Sequence, residues 1–219
     1  MFDILAMLDR TEFENVRHII RSKQGYDFDT LSHSNSVIIY TSPLVNMYIR
    51  TTSENQPVGV PFHGLRGDLV FVNEEIVSDE LLKSTFIPCC KEGIAGIRKS
   101  WQLVDQMSKS TVINVLVIAE EEHFNSLQEK LRAKCYNTQN KLFVSRYDLV
   151  FYGNFIEIRV IRRRYDHCES LRGRSADIIF VEREDLYDPN ARYRIYRACK
   201  TGMYGVHDIN DLLDRRWCN

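Results

Sequence analysis

The sequence has no apolar run approaching the roughly 20 residues that a membrane-spanning helix needs. It also has almost no net charge. Its 29 Lys and Arg stand against 30 Asp and Glu, leaving −1 over 219 residues. That balance excludes a globally basic nucleic-acid coat. Glycine and proline number only ten and five, while 44% of residues are hydrophobic and 27% charged. A collagen-like, low-complexity or disordered chain is therefore excluded. The opening stretch Met1–Asp9 carries no basic region ahead of its short apolar run, so no secretory signal is read there. Six cysteines stand at 89, 90, 135, 168, 199 and 218. Without an oxidising context they are expected to be reduced thiols of a soluble intracellular chain, cytoplasmic or nuclear. The adjacent pair Cys89-Cys90 suits no CxxC clamp, and the others are far apart, so no metal is assigned.

Catalytic signatures are missing as well. There is no G-x-x-x-x-G-K-[ST], no G-x-S-x-G elbow and no G-x-G-x-x-G after a strand. His18, His33, His63, His123 and His207 show no metal-ligand spacing. His167 and Cys168 are neighbours, and in an extended chain neighbours point to opposite faces, so they are poorly placed to exchange a proton. No catalytic residue and no cofactor are assigned, and the reading favours a protein that is not an enzyme.

What the chain does have is internal similarity. Cys90-Lys91-Glu92-Gly93-Ile94-Ala95-Gly96-Ile97 and Cys199-Lys200-Thr201-Gly202-Met203-Tyr204-Gly205-Val206 both read C-K-x-G-x-x-G-apolar, 109 residues apart. Asp105 and Asp214 follow each at equal distance. The same offset joins Asp68–Val72 to Asp177–Val181. Leu-Arg-Gly precedes each of these, at 65–67 and at 171–173, and Arg174, Ser175 and Ala176 stand as extra residues in the second. Phe13–Arg21 matches Phe124–Arg132, and Val37–Tyr40 with Met47–Arg50 resembles Leu149–Tyr152 with Ile156–Arg159. A tandem duplication is expected, with a first repeat over 1–109 and an arginine-rich second over 110–219.

Within one unit, Val112–Ala119 is a β-branched apolar run and reads as a strand covered on both faces. Glu120, Glu121 and Glu122 suit the positive end of a following helix, whose buried face is Phe124, Leu127 and Leu131. Lys141–Val150 and Phe155–Arg163 read as strands about the turn at Gly153-Asn154. Asp177–Val181 is a short buried strand. Glu184–Cys199 is ambiguous, although Asp188-Pro189 suits a helix start. Thr51–Gly64, with Pro57, Gly59, Pro61 and Gly64, is expected to be a flexible surface loop. The fold class expected is α/β: two related Rossmann-like units with mixed sheets and an inserted hairpin.

One family resemblance follows from the order of these pieces. Tyr152–Ile158, then Ser170-Leu171-Arg172-Gly173, then Asp177–Arg183 resembles the middle of a viral large-terminase ATPase core. There a strand pair leads to an Arg-Gly turn and then to an apolar strand ending in the Asp-Glu of a Walker B site. The first unit offers Leu65-Arg66-Gly67 and Val70–Glu74. The resemblance implies a RecA-like nucleotide-binding ancestry and a viral or phage source. The sequence departs from the family pattern at the chemistry. Arg98 in Gly93–Ser100 takes the place of the glycine that lets backbone wrap phosphates. The acidic pair is Glu182-Arg183 in one unit and Asn73-Glu74 in the other, and an arginine cannot activate water. The hydrolytic site is therefore expected to have decayed. A plain Rossmann-like repeat protein is the alternative.

The two halves differ in charge. Residues 1–109 hold 11 basic and 14 acidic residues, while the remainder hold 18 and 16. Arg159, Arg162, Arg163 and Arg164 cluster, with Arg172 and Arg174 close behind. Guanidinium forks suit phosphate and carboxylate, and Tyr152, Phe155 and Tyr165 nearby suit base stacking. Lys91 and Lys200 flank the glycines, which could cradle an anion. Alternatively these arginines pair with Glu157, Asp166 and Glu169, and the glycines only turn the chain. Three functions remain open. The first is a non-enzymatic binding protein that holds nucleic acid or an acidic protein through the second repeat. The second is a divergent nucleotide-binding hydrolase or transferase with a site near Lys91, Lys200, Arg172 and Glu182. The third is a self-assembling structural subunit.

Overall fold

A computed structural model describes residues 1–23, 30–52, 61–135, 140–163, 171, 174–200 and 202–215. The chain divides into two compact units, Met1–Val112 and a second that begins at Ile113.

The first unit runs β1 (Phe2–Leu8), α1 (Arg10–Lys23), β2 (Thr30–His33), β3 (Val37–Thr41), β4 (Val45–Thr51), β5 (Leu69–Val72), α2 (Glu74–Ser78), α3 (Glu80–Ser84), β6 (Ile97–Lys99) and α4 (Ser100–Ser108). Its six strands lie in the order β2-β3-β4-β1-β5-β6. The β1–β4, β1–β5 and β5–β6 pairs are parallel, and β2–β3 and β3–β4 are antiparallel. All four residues of β5 are buried, as a strand covered on both faces requires. The helix α1 buries Phe13, Val16 and Ile20, one stripe of its surface.

The second unit repeats the course: β7 (Thr111–Ala119), α5 (Glu121–Ala133), β8 (Lys141–Val144), β9 (Asp148–Gly153), β10 (Phe155–Arg162), β11 (Ile178–Val181), α6 (Arg183–Tyr187), α7 (Pro189–Ala198), β12 (Val206–Asp208) and α8 (Ile209–Leu213). The strand order is β8-β9-β10-β7-β11-β12, position for position that of the first unit. The chain is thus α/β, with two Rossmann-like units, each a mixed six-stranded sheet carrying an antiparallel hairpin at one edge. The stretch expected as one strand from Lys141 to Val150 is two, because the Ser145 hydroxyl accepts the N–H groups of Tyr147 and Asp148 and turns the chain. Of the loop expected over Thr51–Gly64, residues 53–60 lie outside the described residues. Its end is a tight turn whose Phe62 is fully buried.

The likeness reaches single hydrogen bonds. The Thr52 N–H donates to Leu8 O and the Arg163 N–H to Ala119 O, both at 2.7 Å. Asp68, fully buried at the entry to β5, accepts the Asp3 N–H at 2.7 Å, and Asp177 at the entry to β11 accepts the Asn114 N–H at 2.7 Å. Leu65 N–H donates to Phe62 O at 3.0 Å, and Arg174 N–H to Leu171 O at 3.1 Å. This last pair corrects the alignment of the two Leu-Arg-Gly tripeptides. The counterpart of Gly67 is Ala176, since each bridges the cysteine of its own C-K motif, Cys90 or Cys199. A constant offset with no inserted residues therefore holds across this region. A Cβ on Gly67 would lie 2.9 Å from both Leu5 Cγ and Leu69 O.

Candidate functional site

The C-K-x-G-x-x-G motifs place their side chains at the start of the central strands. Gly93 and Gly202 adopt φ of 58° and 65°, the left-handed region that glycine enters without strain. Gly96 packs so closely that a Cβ would come within 2.5 Å of Cys90 Sγ. Burial pushes the Cys90 thiol up to about 12. The Lys91 Nζ lies 2.7 Å from Asp3 and 3.5 Å from Asp68, and the Lys200 Nζ lies 3.4 Å from Asp177. A buried carboxylate is costly unless it is paired and hydrogen-bonded, and these lysines supply the pairing. Lys91 ties its motif to β1 and to the entry of β5, and Lys200 ties its own to the entry of β11.

The arginines expected to form one cluster fall into two groups, because β10 alternates its faces. On one face, Arg162 lies with its guanidinium carbon 4.7 Å from the Phe124 ring centroid and its Nη1 3.3 Å from Glu121 of α5. Arg163, just past the strand, reaches Glu120 at 2.7 Å and the buried Asp185 of α6 at 2.8 Å. Beside it, the buried Glu182 accepts the Glu120 N–H at 2.7 Å and meets the His123 Nδ1 at 2.9 Å. Arg162 and Arg163 therefore clamp the end of β10 to the helix starts. Arg164 and Arg172 lie outside the described residues, as do Asp166, His167, Cys168 and Glu169.

On the opposite face, Arg159 and Arg174 share a cavity of about 240 Å³ with Asn114, Glu157 and Ser175. Arg159 is 3.5 Å from Glu157. The Nη1 of Arg174 is buried and meets no hydrogen-bond acceptor among the described residues. Leaving a buried donor unsatisfied costs roughly 1–3 kcal/mol, and more when the group is charged. The first unit closes the same position with aromatic rings. Tyr48 pairs with Ile39 on β3 as Arg159 pairs with Val150 on β9. Tyr48 meets the edge of Phe62 at 6.3 Å, and Phe62 meets Phe86 at 6.1 Å. The second unit has a guanidinium in place of Tyr48 and Leu171 in place of Phe62.

Sequence reasoning missed one arginine surface. Asp188 caps α7 by accepting the Asn190 N–H, and Pro189 fills its first turn. Ala191, Ile195 and Ala198 form the buried stripe, so Arg192, Tyr193, Arg194 and Arg197 all face outward and are exposed. None of these arginines meets a carboxylate within 4 Å among the described residues. The signal was present in the sequence as apolar residues four and three apart between arginines and tyrosines. The pairing of His123 with Glu182 left no such signal, since the two are 59 residues apart.

No group of three or more His, Cys, Asp and Glu side chains among the described residues could hold a metal ion. Among the same residues, no helix is long and apolar enough to cross a membrane. No family model and no curated protein matches the chain.

Proposed function

We propose that this chain is a non-enzymatic, intracellular binding protein whose second unit holds nucleic acid. The observation that carries the reading is the cavity of Arg159 and Arg174, where a buried guanidinium nitrogen stands without an acceptor among the described residues. A phosphate oxygen supplies the missing acceptor, and the second guanidinium adds charge to the same bond. The matched hydrogen bonds of the two units support descent by duplication. In that reading the two copies diverged at one position, where the first keeps Tyr48 and Phe62 and the second has Arg159 and Leu171. The decayed terminase-like, viral ancestry agrees with the contacts of Glu182. The carboxylate at the Walker B position is spent on His123 and on the Glu120 N–H. The lysines needed by a hydrolase site at the glycine motifs are likewise engaged, with Asp3, Asp68 and Asp177.

The test is anisotropy of a labelled oligonucleotide over 50–200 mM salt. Binding should weaken linearly on logarithmic axes. Arg159→Glu combined with Arg174→Glu should weaken it at least about tenfold, the cost of roughly one charge-assisted hydrogen bond, with an unchanged far-UV spectrum. Arg162→Glu is a poor probe, because it sets a carboxylate against Glu121 and disturbs the clamp. An absence of binding to any nucleic acid would transfer the cavity to a carboxylate of an acidic protein partner.

A further inference from the structure

We infer that the outward face of α7 is a track for single-stranded nucleic acid, in which arginines take phosphates and Tyr193 stacks on a base. The inference rests on the reading that the second unit binds nucleic acid, and names the strand form and the surface that receives it.

The face carries three arginines from its second turn to its last. Arg192, Arg194 and Arg197 occupy one ten-residue helix of about 15 Å. The carboxylate of Asp188, at its start, caps the helix by accepting the Asn190 N–H at 3.0 Å. The aromatic rings are unusually open: Tyr193 is 64% exposed, and Tyr187 at the end of α6 is 73% exposed. Such rings gain by stacking on a planar group, and every base has a π-face. The helix also orders its own arginines. The Arg192 guanidinium carbon lies 5.2 Å from the Tyr196 centroid and that of Arg197 5.6 Å from Tyr193, both at helical spacing. Side chains held this way lose less freedom on binding.

The helix and the cavity share a backbone neighbour. The Ala176 N–H donates to Ala198 O, and the Lys200 N–H to Ala176 O, so the last turn of α7 is bonded to a residue lining the cavity. Among the described residues, the counterpart helix of the first unit keeps one cation, Lys83 at the offset of Arg192. At the same offset the first unit carries Ser84, Thr85, Ile87 and Pro88 where the second has Tyr193, Arg194, Tyr196 and Arg197, and its α3 ends at Ser84.

The experiment uses the full chain, a fluorescein-labelled 16-residue oligothymidylate and a DNA duplex of equal length. Three variants are compared with the wild type: Arg192→Gln with Arg194→Gln and Arg197→Gln; Tyr193→Ala; and Arg159→Glu with Arg174→Glu. Glutamine keeps helix propensity, and each variant is checked for an unchanged melting temperature. Three lost phosphate contacts should flatten the single-strand salt slope by about 2. Between 50 and 200 mM salt, the wild type should then lose roughly 20-fold more affinity than the triple variant. Tyr193→Ala should weaken single-strand binding about tenfold, within the range for one stacked base, and leave the duplex unaffected. If the triple variant binds with wild-type affinity and slope while the cavity variant does not bind, the track is overturned and the cavity reading stands. Equal loss on duplex and single strand for Tyr193→Ala, or displacement of the strand by polyglutamate with Tyr193→Ala silent, also overturns it. Failure of the wild type to bind either probe overturns both.

Discussion

At Gly67 and Ala176 a single methyl group separates two otherwise equivalent positions. Gly67 lies against Leu5 and two backbone carbonyls, so a Cβ there has no free space. Gly67→Ala should cost about 1–3 kcal/mol through overpacking, read as a lower urea midpoint at constant slope. Cys90 makes a prediction about pH. Its thiol is held neutral up to about 12 in the folded chain, whereas in the unfolded chain it ionises near its ordinary value of 9.0. Stability from this group is complete below that lower value and drains away as pH rises toward the upper one, by at most about 1.4 kcal/mol per unit. Other groups titrate there too, so the readout is the difference between wild type and Cys90→Ala, whose stability should fall less steeply above about pH 9. The motif glycines and lysines were legible in the sequence as a repeat. Their occupation was not, because Asp3 and Asp68, the partners of Lys91, come from distant parts of the chain.

At the level of elements, α3 and α7 begin alike. Asp79 and Asp188 both cap them through a side-chain oxygen. They end differently, since Pro88 stands at the offset of Arg197 and cannot continue a helix. Arg197→Pro should therefore cut α7 short at a cost of about 3 kcal/mol. Circular dichroism should show the lost helix, and oligothymidylate binding should fall with it. The start of α7 was legible from Asp188-Pro189, and its outward face follows from the buried Ala191, Ile195 and Ala198. The division of the arginines on β10 was legible only in part. Strand alternation separates Arg159 from Arg162, but which face meets α5 and which opens on a cavity depends on the packing of helices on the sheet. The Leu-Arg-Gly match misled because it paired residues by identity across segments that the hydrogen bonds pair three residues further on.

For the whole molecule, each unit carries a buried apolar cluster of its own, one about Phe62, Val70 and Phe86, the other about Leu116, Ile179 and Ile195. Fragments covering residues 1–109 and 110–219 should each show a cooperative melt. Only the second should bind oligothymidylate, because the first is acidic, with 11 basic against 14 acidic residues, and holds Tyr48 where the second has Arg159. A first fragment that bound equally well would place the function outside the second unit.

The sequence by itself determined the α/β class, the buried strands and the recurrence of similar segments 109 to 111 residues apart. These depend on local periodicity and on residues near one another in the chain. Only the tertiary structure decided which cations are spent and which are open. Lys91, Lys200, Arg162 and Arg163 meet carboxylates brought in from other elements, whereas Arg192, Arg194 and Arg197 meet none among the described residues. Charge is a property of a residue, but its availability is a property of its neighbours, and most of those neighbours are adjacent only once the chain has folded.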